Sequence, residues 1–330
     1  MNDTPTPPPS APVADWAIAT WDLPTDTRAT LINLSENATY RLDDGRGQPR
    51  GALRLHRPGY QDPAAIRSEL AWVRAIQTEG DVHPPRPLAG RDGALIQSWP
   101  GTAGHGARQA VLFAWEPGEE PREDSPELKH HFVELGAVAA RLHRQVAGWT
   151  PPADFTRQTW DLDTTLGDRP LWGDWRQGIG MDGETERLFG RTIERLARRL
   201  DSLGRAAEHF SLCHADLRLA NLLVAGPRLT VLDFDDCGFT WHLYDAATTV
   251  SFFEHHPEVP ELLAAWVRGY RQVRPLSDDE VGEIPSFVLL RRLLLVAWIG
   301  SHQEAPLARQ LGAAYTAGSA ELCRAYLARH

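Results

Sequence analysis

Lysine is almost missing from this chain. Lys129 stands alone among 330 residues, and every other basic side chain is an arginine. That bias reflects composition as a whole, so an arginine at any one position says little about choice, and no second lysine is available for any role that would want one. Cysteine is scarce too. Cys213, Cys237 and Cys323 are widely spaced and odd in number, which excludes a disulfide framework or a zinc-ligand pattern and points to a reducing cytoplasm. No long apolar run occurs: the longest, residues 287–299, is short and broken by Arg291-Arg292, so no membrane span is expected. Residues 1–15 are rich in Pro and Thr but lack a basic stretch and an apolar core. They read as a disordered tail and not as a signal peptide. Positive charge is in deficit. The net charge is −10, and most of the acidic excess falls after residue 118. A nucleic-acid partner would need a basic face, so it is excluded. A cationic small partner would suit the field, and so would a merely solvated acidic surface.

The length allows one large or two medium domains with a substantial core. Residues 31–42 hold two strand-like pieces around Ser35-Glu36-Asn37-Ala38. In Ala52-Leu53-Arg54-Leu55-His56 the alternation puts Leu53 and Leu55 on one face and Ala52, Arg54 and His56 on the other. Asp62-Pro63 starts a helix to about Glu79, with Ile66, Leu70, Val73 and Ile76 as its stripe and Glu69 at the border of that stripe. A carboxylate there needs a partner unless it reaches water. Residues 94–99 and 110–115 are further strand candidates. The acidic, breaker-rich stretch from Pro117 to Pro126 marks a boundary. Beyond it helices are expected over 128–146, 185–203, 243–255, 260–273, 286–302 and 307–327, with no internal repeat. The expected domains are thus 1–15, 16–118 and 119–330.

The most informative stretch is His214-Ala215-Asp216-Leu217-Arg218-Leu219-Ala220-Asn221, followed by Val231-Leu232-Asp233-Phe234-Asp235. A hairpin turning at Ala225-Gly226-Pro227 brings Asp233 back beside Asn221. Two hard oxygen ligands then converge, which suits Mg²⁺ carrying a nucleotide phosphate, and Asp216 is left to receive or orient the proton of an attacking hydroxyl.

This double motif resembles the catalytic and metal-binding loops of protein kinases and, more closely, of the aminoglycoside phosphotransferase and choline kinase superfamily. Ala215 and Asp235 replace the Arg and Gly of protein kinases, as is usual in the small-molecule branch. Ser35 to Tyr40 and Leu53 to Pro58 are similar to bacterial stress response kinases and type II homoserine kinase-like proteins. Leu135-Gly136 and Ala140-Arg141-Leu142-His143 are also typical. The resemblance covers about residues 28–328. It implies an α+β, bilobal protein-kinase-like fold: a small N-terminal lobe with an antiparallel sheet and one helix, and a larger, mostly helical C-terminal lobe.

The resemblance also implies roles. Asp216 would be the base or the hydroxyl-orienting group, and Asn221 and Asp233 would hold Mg²⁺. Asp235 would either bind a second metal ion or hold the loop, and Asp236 would be structural. Arg218 would neutralise charge on the transferred phosphate, or pair with a nearby acid on the surface. His214 and Asp245 would support the loop. Arg54 takes the place of the lysine that grips the nucleotide phosphates, with Glu69 as its partner, which leaves the choice of ATP or GTP open. Ala52 would roof the purine, the strand end Phe113-Ala114-Trp115-Glu116 would offer backbone groups to the base edge, and the loop Ser35-Glu36-Asn37-Ala38 would close over the phosphates through its backbone N–H groups. The expected activity is ATP- and Mg-dependent transfer to a hydroxyl of a small molecule. The cluster of Trp160, Asp161, Asp163, Trp172, Asp174 and Trp175 would either seat a cationic acceptor against its rings or anchor an irregular segment onto the helical lobe. The alternatives are a protein serine/threonine kinase and a nucleotide-binding regulator without turnover.

Overall fold

The computed structural model describes residues 7–35 and 37–330. The chain divides into two compact units. The first takes the described part of Met1–Gly118 with Pro151–Thr156 and Thr230–Asp235, and the second takes Glu119–Thr150, Arg157–Leu229 and Asp236–His330. The two short returns to the first unit are something a single boundary near residue 118 does not express.

The first unit begins with a helix, α1 (Ser10–Trp21). Residues 10–15 are therefore not a disordered tail, and residues 1–6 lie outside the described part. Composition is a poor guide here because the prolines run through Pro9 and on to Pro12, which lies in the first helical turn, where proline is tolerated. Val13, Ala14, Ala17 and Trp21 then share one face and are buried. Strands β1 (Arg28–Leu34), β2 (Ala38–Asp43) and β3 (Pro49–Leu55) follow, then α2 (Pro63–Glu79), β4 (Pro87–Leu88), β5 (Gln97–Trp99) and β6 (Arg108–Phe113). The strand order is β1-β2-β3-β6-β4, with β5 also on β6, and every pairing is antiparallel. The residue alternation of β3 sets the two layers. Leu53 and Leu55 enter a core with Tyr40, Leu42, Trp99 and the buried face of α1. On the other face Ile66 and Leu70 of α2 pack on Val111. The small sheet thus carries a helix on each face, where one was expected. Asp62 caps α2 by accepting from the Ala65 N–H at 2.7 Å, with Pro63 at the first helical position, a cap that contributes about 1 kcal/mol.

The second unit holds α3 (Leu128–Gly148), α4 (Leu162–Thr165), α5 (Gly183–Leu203), β7 (Phe210–Cys213) and β8 (Leu222–Ala225). Strand β9 (Arg228–Val231) forms the hairpin with β8, and the chain leaves the second unit within it. Then come β10 (Gly238–Trp241), α6 (His242–Thr248), α7 (Val259–Arg271), α8 (Asp278–Val281), α9 (Ile284–Ser301) and α10 (Pro306–Arg329). Strand β10 pairs antiparallel with β7, Gly238 opposite Cys213. The helix expected over 243–255 stops at Thr248, because the following turn passes through Phe252 at φ 77°, a backbone conformation no helix accommodates. The expected helix over 307–327 is interrupted by non-helical geometry at Gly312.

The stretch from Asp278 to Ser301 has the length and hydropathy of a membrane span, yet 78% of its apolar window is buried inside the chain. Helix α9 is thus an internal helix, with α6, α10 and α5 packed around it. Helices α3 and α7 cross so closely that both need glycine at the contact. A Cβ on Gly136 would run into the Trp266 carbonyl oxygen, and one on Gly269 into that of Val133. Backbone cannot yield as a side-chain tip does, so Gly136→Ala is expected to lose about 2–3 kcal/mol of stability. Thermal unfolding checks this, and an unchanged midpoint would contradict the reading of the crossing.

Candidate active site

In the first unit, Arg54 of β3 points toward α2. Its side chain is nearly buried (the residue is 5% exposed), and its Nη2 donates to both carboxylate oxygens of Glu69 at 2.6 and 2.7 Å. Its Nη1 donates to Asp233 Oδ1 at 3.2 Å, and its guanidinium lies 5.2 Å from the centre of the Phe113 ring. Burial works against the charge of Arg54, but Glu69, Asp235 and Asp233 together more than offset it and raise its pKa. Glu69 is fully engaged with this partner and does not reach water. Asp233 keeps a side chain 38% exposed and a left-handed backbone at φ 54°, which Asp tolerates better than most residues. Its carboxylate is a hard donor of the kind Mg²⁺ takes.

Asp235 is placed differently. Its Oδ2 accepts from Asn37 Nδ2 at 2.7 Å, and its Oδ1 lies 3.7 Å from His56 Nδ1. Asn37 Oδ1 in turn accepts from the Arg57 N–H at 3.1 Å. The Asn37 and Asp235 side chains thus tie the turn after β1 to the segment after β9, which favours the loop-holding reading of Asp235. Ser35 N–H donates to the Asn37 carbonyl at 3.1 Å, and Glu36 between them lies outside the described residues. Ala52 sits opposite Phe113 in the ladder of β3 and β6. Trp115 follows β6 and carries the Arg41 guanidinium 4.8 Å from its ring centre.

In the second unit the segment after β7 presents Asp216. Ala215, immediately before it, has φ 65°, and an L-residue in that region costs about 1–2 kcal/mol. The strain is held from α6: Asp245 Oδ1 accepts from the Ala215 N–H at 2.7 Å, and Thr248 Oγ1 accepts from the Leu217 N–H at 2.9 Å. Burial pushes Asp245 up to about 6, and the His214 ring and the backbone N–H groups of Ala215 and His214 oppose that shift. His143 Nε2 meets Asp245 Oδ2 at 2.8 Å, and its Nδ1 meets the Tyr270 hydroxyl at 3.0 Å. With Cys213 these two side chains form a fully buried polar cluster. His214 Nδ1 accepts from the Asp216 N–H at 3.2 Å.

Both oxygens of Asp216 are engaged. Oδ2 accepts from Asn221 Nδ2 at 2.6 Å and from Arg218 Nε at 3.2 Å. Oδ1 accepts from Arg291 Nη2 of α9 at 2.5 Å. Burial alone would raise the Asp216 pKa, but Arg291, then Arg218, outweigh it and hold the carboxyl below its usual range. Such a carboxylate is a weak base and a good orienting group. Asn221 Nδ2 also donates to the Asp216 carbonyl at 2.9 Å, which commits the amide nitrogen and leaves Oδ1 as the oxygen able to face a cation.

The model of the phosphotransferase enzyme family matches residues 28–279. This chain belongs to that family. The phosphotransferase is similar in structure to the microcompartment-associated aminopropanol kinase, with 42% identity, a TM-score of 0.87, and coverage of 96% of this chain and 97% of that one. It is 30% identical over 279 residues to an uncharacterised protein of Deinococcus radiodurans, covering 82% of this chain and 76% of the relative. Against the amicoumacin kinase of Bacillus subtilis it is 24% identical over 241 residues, 70% of this chain and 68% of the relative.

Within each unit of this phosphotransferase the predicted residues gather: Arg54, Glu69 and Asp233 in one, Asp216, Arg218 and Asn221 in the other. Of the two uses expected for the aromatic and acidic stretch 160–175, the anchoring one is found. Trp160 Nε1 donates to the Asp236 carbonyl and Trp175 Nε1 to the Leu166 carbonyl, and both indoles are buried. Asp161 caps α4 and pairs with Arg205, Asp163 pairs with Arg169, and Asp174 with Arg176. The rings of Trp172 and Trp175 already carry guanidinium groups, those of Arg291 and Arg176. The cluster therefore anchors a loop, and its acids are paired with arginines. Sequence reasoning missed Arg291 altogether. In the sequence it registers only as a charge interrupting an apolar run, and that interruption was the signal available.

Proposed function

We propose that this phosphotransferase moves the terminal phosphoryl group of Mg-ATP to the hydroxyl of a small amino alcohol. The observation that carries the reading is its 42% identity, over nearly the whole of both chains, to a kinase of aminopropanol. The relatives named above whose activity is stated are kinases of small molecules, which favours a metabolite over a protein serine or threonine. Asp216, Asn221 and Asp233 all stand intact, which speaks against a regulator without turnover. The net charge of −10 is in keeping with a cationic acceptor, and the three buried cysteines, none of them in a disulfide, are in keeping with a cytoplasmic protein.

In this reading Asp216 accepts the hydrogen bond of the acceptor hydroxyl and aims its oxygen at the γ-phosphorus. The new O–P bond forms as the bond from phosphorus to the β,γ-bridging oxygen breaks, ADP leaves, and the hydroxyl proton passes by way of Asp216 to solvent. A depressed carboxylate suits a loose transition state, in which the proton departs late and positioning outweighs basicity. Arg218 offsets charge on the transferred group. Asn221 and Asp233 are the proposed metal ligands, both offering oxygen, and bound Mg²⁺ would neutralise phosphate charge. Arg54, braced by Glu69, is the proposed phosphate contact, and Ala52, Phe113 and Trp115 the proposed surroundings of the base.

A coupled assay of ADP release with a panel of small hydroxyl compounds tests this. Mg²⁺-dependent turnover should be stimulated most by aminopropanol, more than by a neutral diol of the same size. The advantage should shrink as salt rises, because exposed charges are screened over about 8 Å at physiological ionic strength. Equal stimulation by the neutral diol would remove the cationic preference, and no stimulation by any hydroxyl compound would remove the proposal.

A further inference from the structure

Two adjacent arginines on the internal helix α9, Arg291 and Arg292, are each only 2% exposed. A guanidinium in such surroundings must be paired and hydrogen-bonded. Arg292 is satisfied by groups outside the acid–amide–acid motif. It donates to Glu254 Oε2 at 2.6 Å, Ser319 Oγ at 2.7 Å and the Tyr315 carbonyl at 3.1 Å. Arg291 is satisfied by a different set. Its Nε donates to Ser251 Oγ at 3.1 Å, its Nη1 to the Tyr244 hydroxyl at 3.3 Å and its Nη2 to Asp216 Oδ1 at 2.5 Å, and its guanidinium carbon lies 5.0 Å from the centre of the Trp172 ring.

We infer that Arg291 is a positioning residue for phosphoryl transfer, a clamp reaching from α9 that holds Asp216 in a single rotamer. The inference rests on the reading of Asp216 as the hydroxyl-orienting group. A free carboxylate side chain samples several staggered states. Asn221 and Arg218 restrain one oxygen of Asp216 from within its own loop, and Arg291 restrains the other from a separate, deeply packed element. Two restraints at opposite oxygens leave one orientation, which is the preorganisation an attacking hydroxyl needs. Arg291 is itself fixed from two sides, by Tyr244 of α6 and by Ser251. The turn that delivers Ser251 to Arg291 also delivers Glu254 to Arg292, and between them Phe252 takes φ 77°. A bulky residue in that region persists only where its surroundings over-determine it. Lysine could not do the same: it is a point charge on a flexible stem and cannot meet three acceptors as a planar fork does.

The test is steady-state kinetics of Arg291→Lys and Arg291→Ala beside Arg292→Ala and Asp216→Asn, with thermal unfolding of each. Both Arg291 variants should lose about 100-fold in kcat with KM for ATP little changed. Millimolar guanidinium ion should restore part of the activity of Arg291→Ala and none of that of Asp216→Asn. Arg292→Ala should lose stability while kcat per folded molecule is kept. If Arg291→Ala does not fold, Arg291→Lys carries the kcat comparison. Wild-type kcat in Arg291→Lys while Asp216→Asn is inactive would overturn the inference and leave the proposed function standing. Full turnover in Asp216→Asn would instead overturn the role given to Asp216.

Discussion

Asp216→Asn is expected to lower turnover by about a thousandfold and to leave Mg²⁺-dependent binding of ATP nearly as it was. The amide keeps the shape but offers one acceptor where the carboxylate offers two, and it faces three donors: Asn221, Arg218 and Arg291. At least one of them loses its partner, and the oxygen that should aim the acceptor hydroxyl carries no charge. Asp233→Asn should also abolish most turnover, but through a strongly weakened metal-dependent affinity for nucleotide. Single-turnover kinetics with calorimetry on both variants separates the two roles. Near wild-type turnover of Asp216→Asn, or unchanged nucleotide affinity of Asp233→Asn, would refute the corresponding assignment.

The largest loss of stability is expected from Glu69→Gln. The pair of Arg54 and Glu69 is nearly inaccessible to water, and removing the charge of one partner leaves the other poorly compensated, a change that costs about 3–5 kcal/mol. Asp233 also contacts Arg54 and would retain part of the compensation, so the lower end is expected. The same variant should weaken ATP binding, because Arg54 loses the contact that orients it. Arg122→Ala, which breaks a pair with Asp124 on the open surface, should leave the unfolding midpoint where it was. Denaturant unfolding of the two variants decides this, and equal stability would contradict the account of Arg54.

What was legible in the sequence was mostly local. Asp216 and Asn221 lie five residues apart, and a hairpin with an obvious turn separates Asn221 from Asp233, so chain geometry alone brings the motif to attention. Glu69 is legible as a helix acid at the border of an apolar stripe that needs a partner or water, and its pairing with Arg54 is what the family resemblance implies. The misses are long-range or depend on packing. Arg291 is 75 residues from Asp216, and no periodicity links an internal helix to a catalytic loop. The burial of α1 depends on a sheet formed later in the chain, so a Pro-rich lead-in concealed it. The early end of α6 comes from the turn at Phe252, which is held by α9 and α10 contacts and not by any local breaker. The indoles of residues 160–175 fit either a cation site or an anchor, because sequence gives composition without partners. In the fold the N–H groups of Trp160 and Trp175, and the acids between them, are already used.

The most direct test of the central claim follows the label from γ-³²P-ATP in the presence of Mg²⁺, aminopropanol and, in a separate reaction, whole-cell protein. Transfer to the small molecule that is abolished by Asp216→Asn is the predicted result. Label found only on protein serine or threonine, the enzyme's own included, would contradict it.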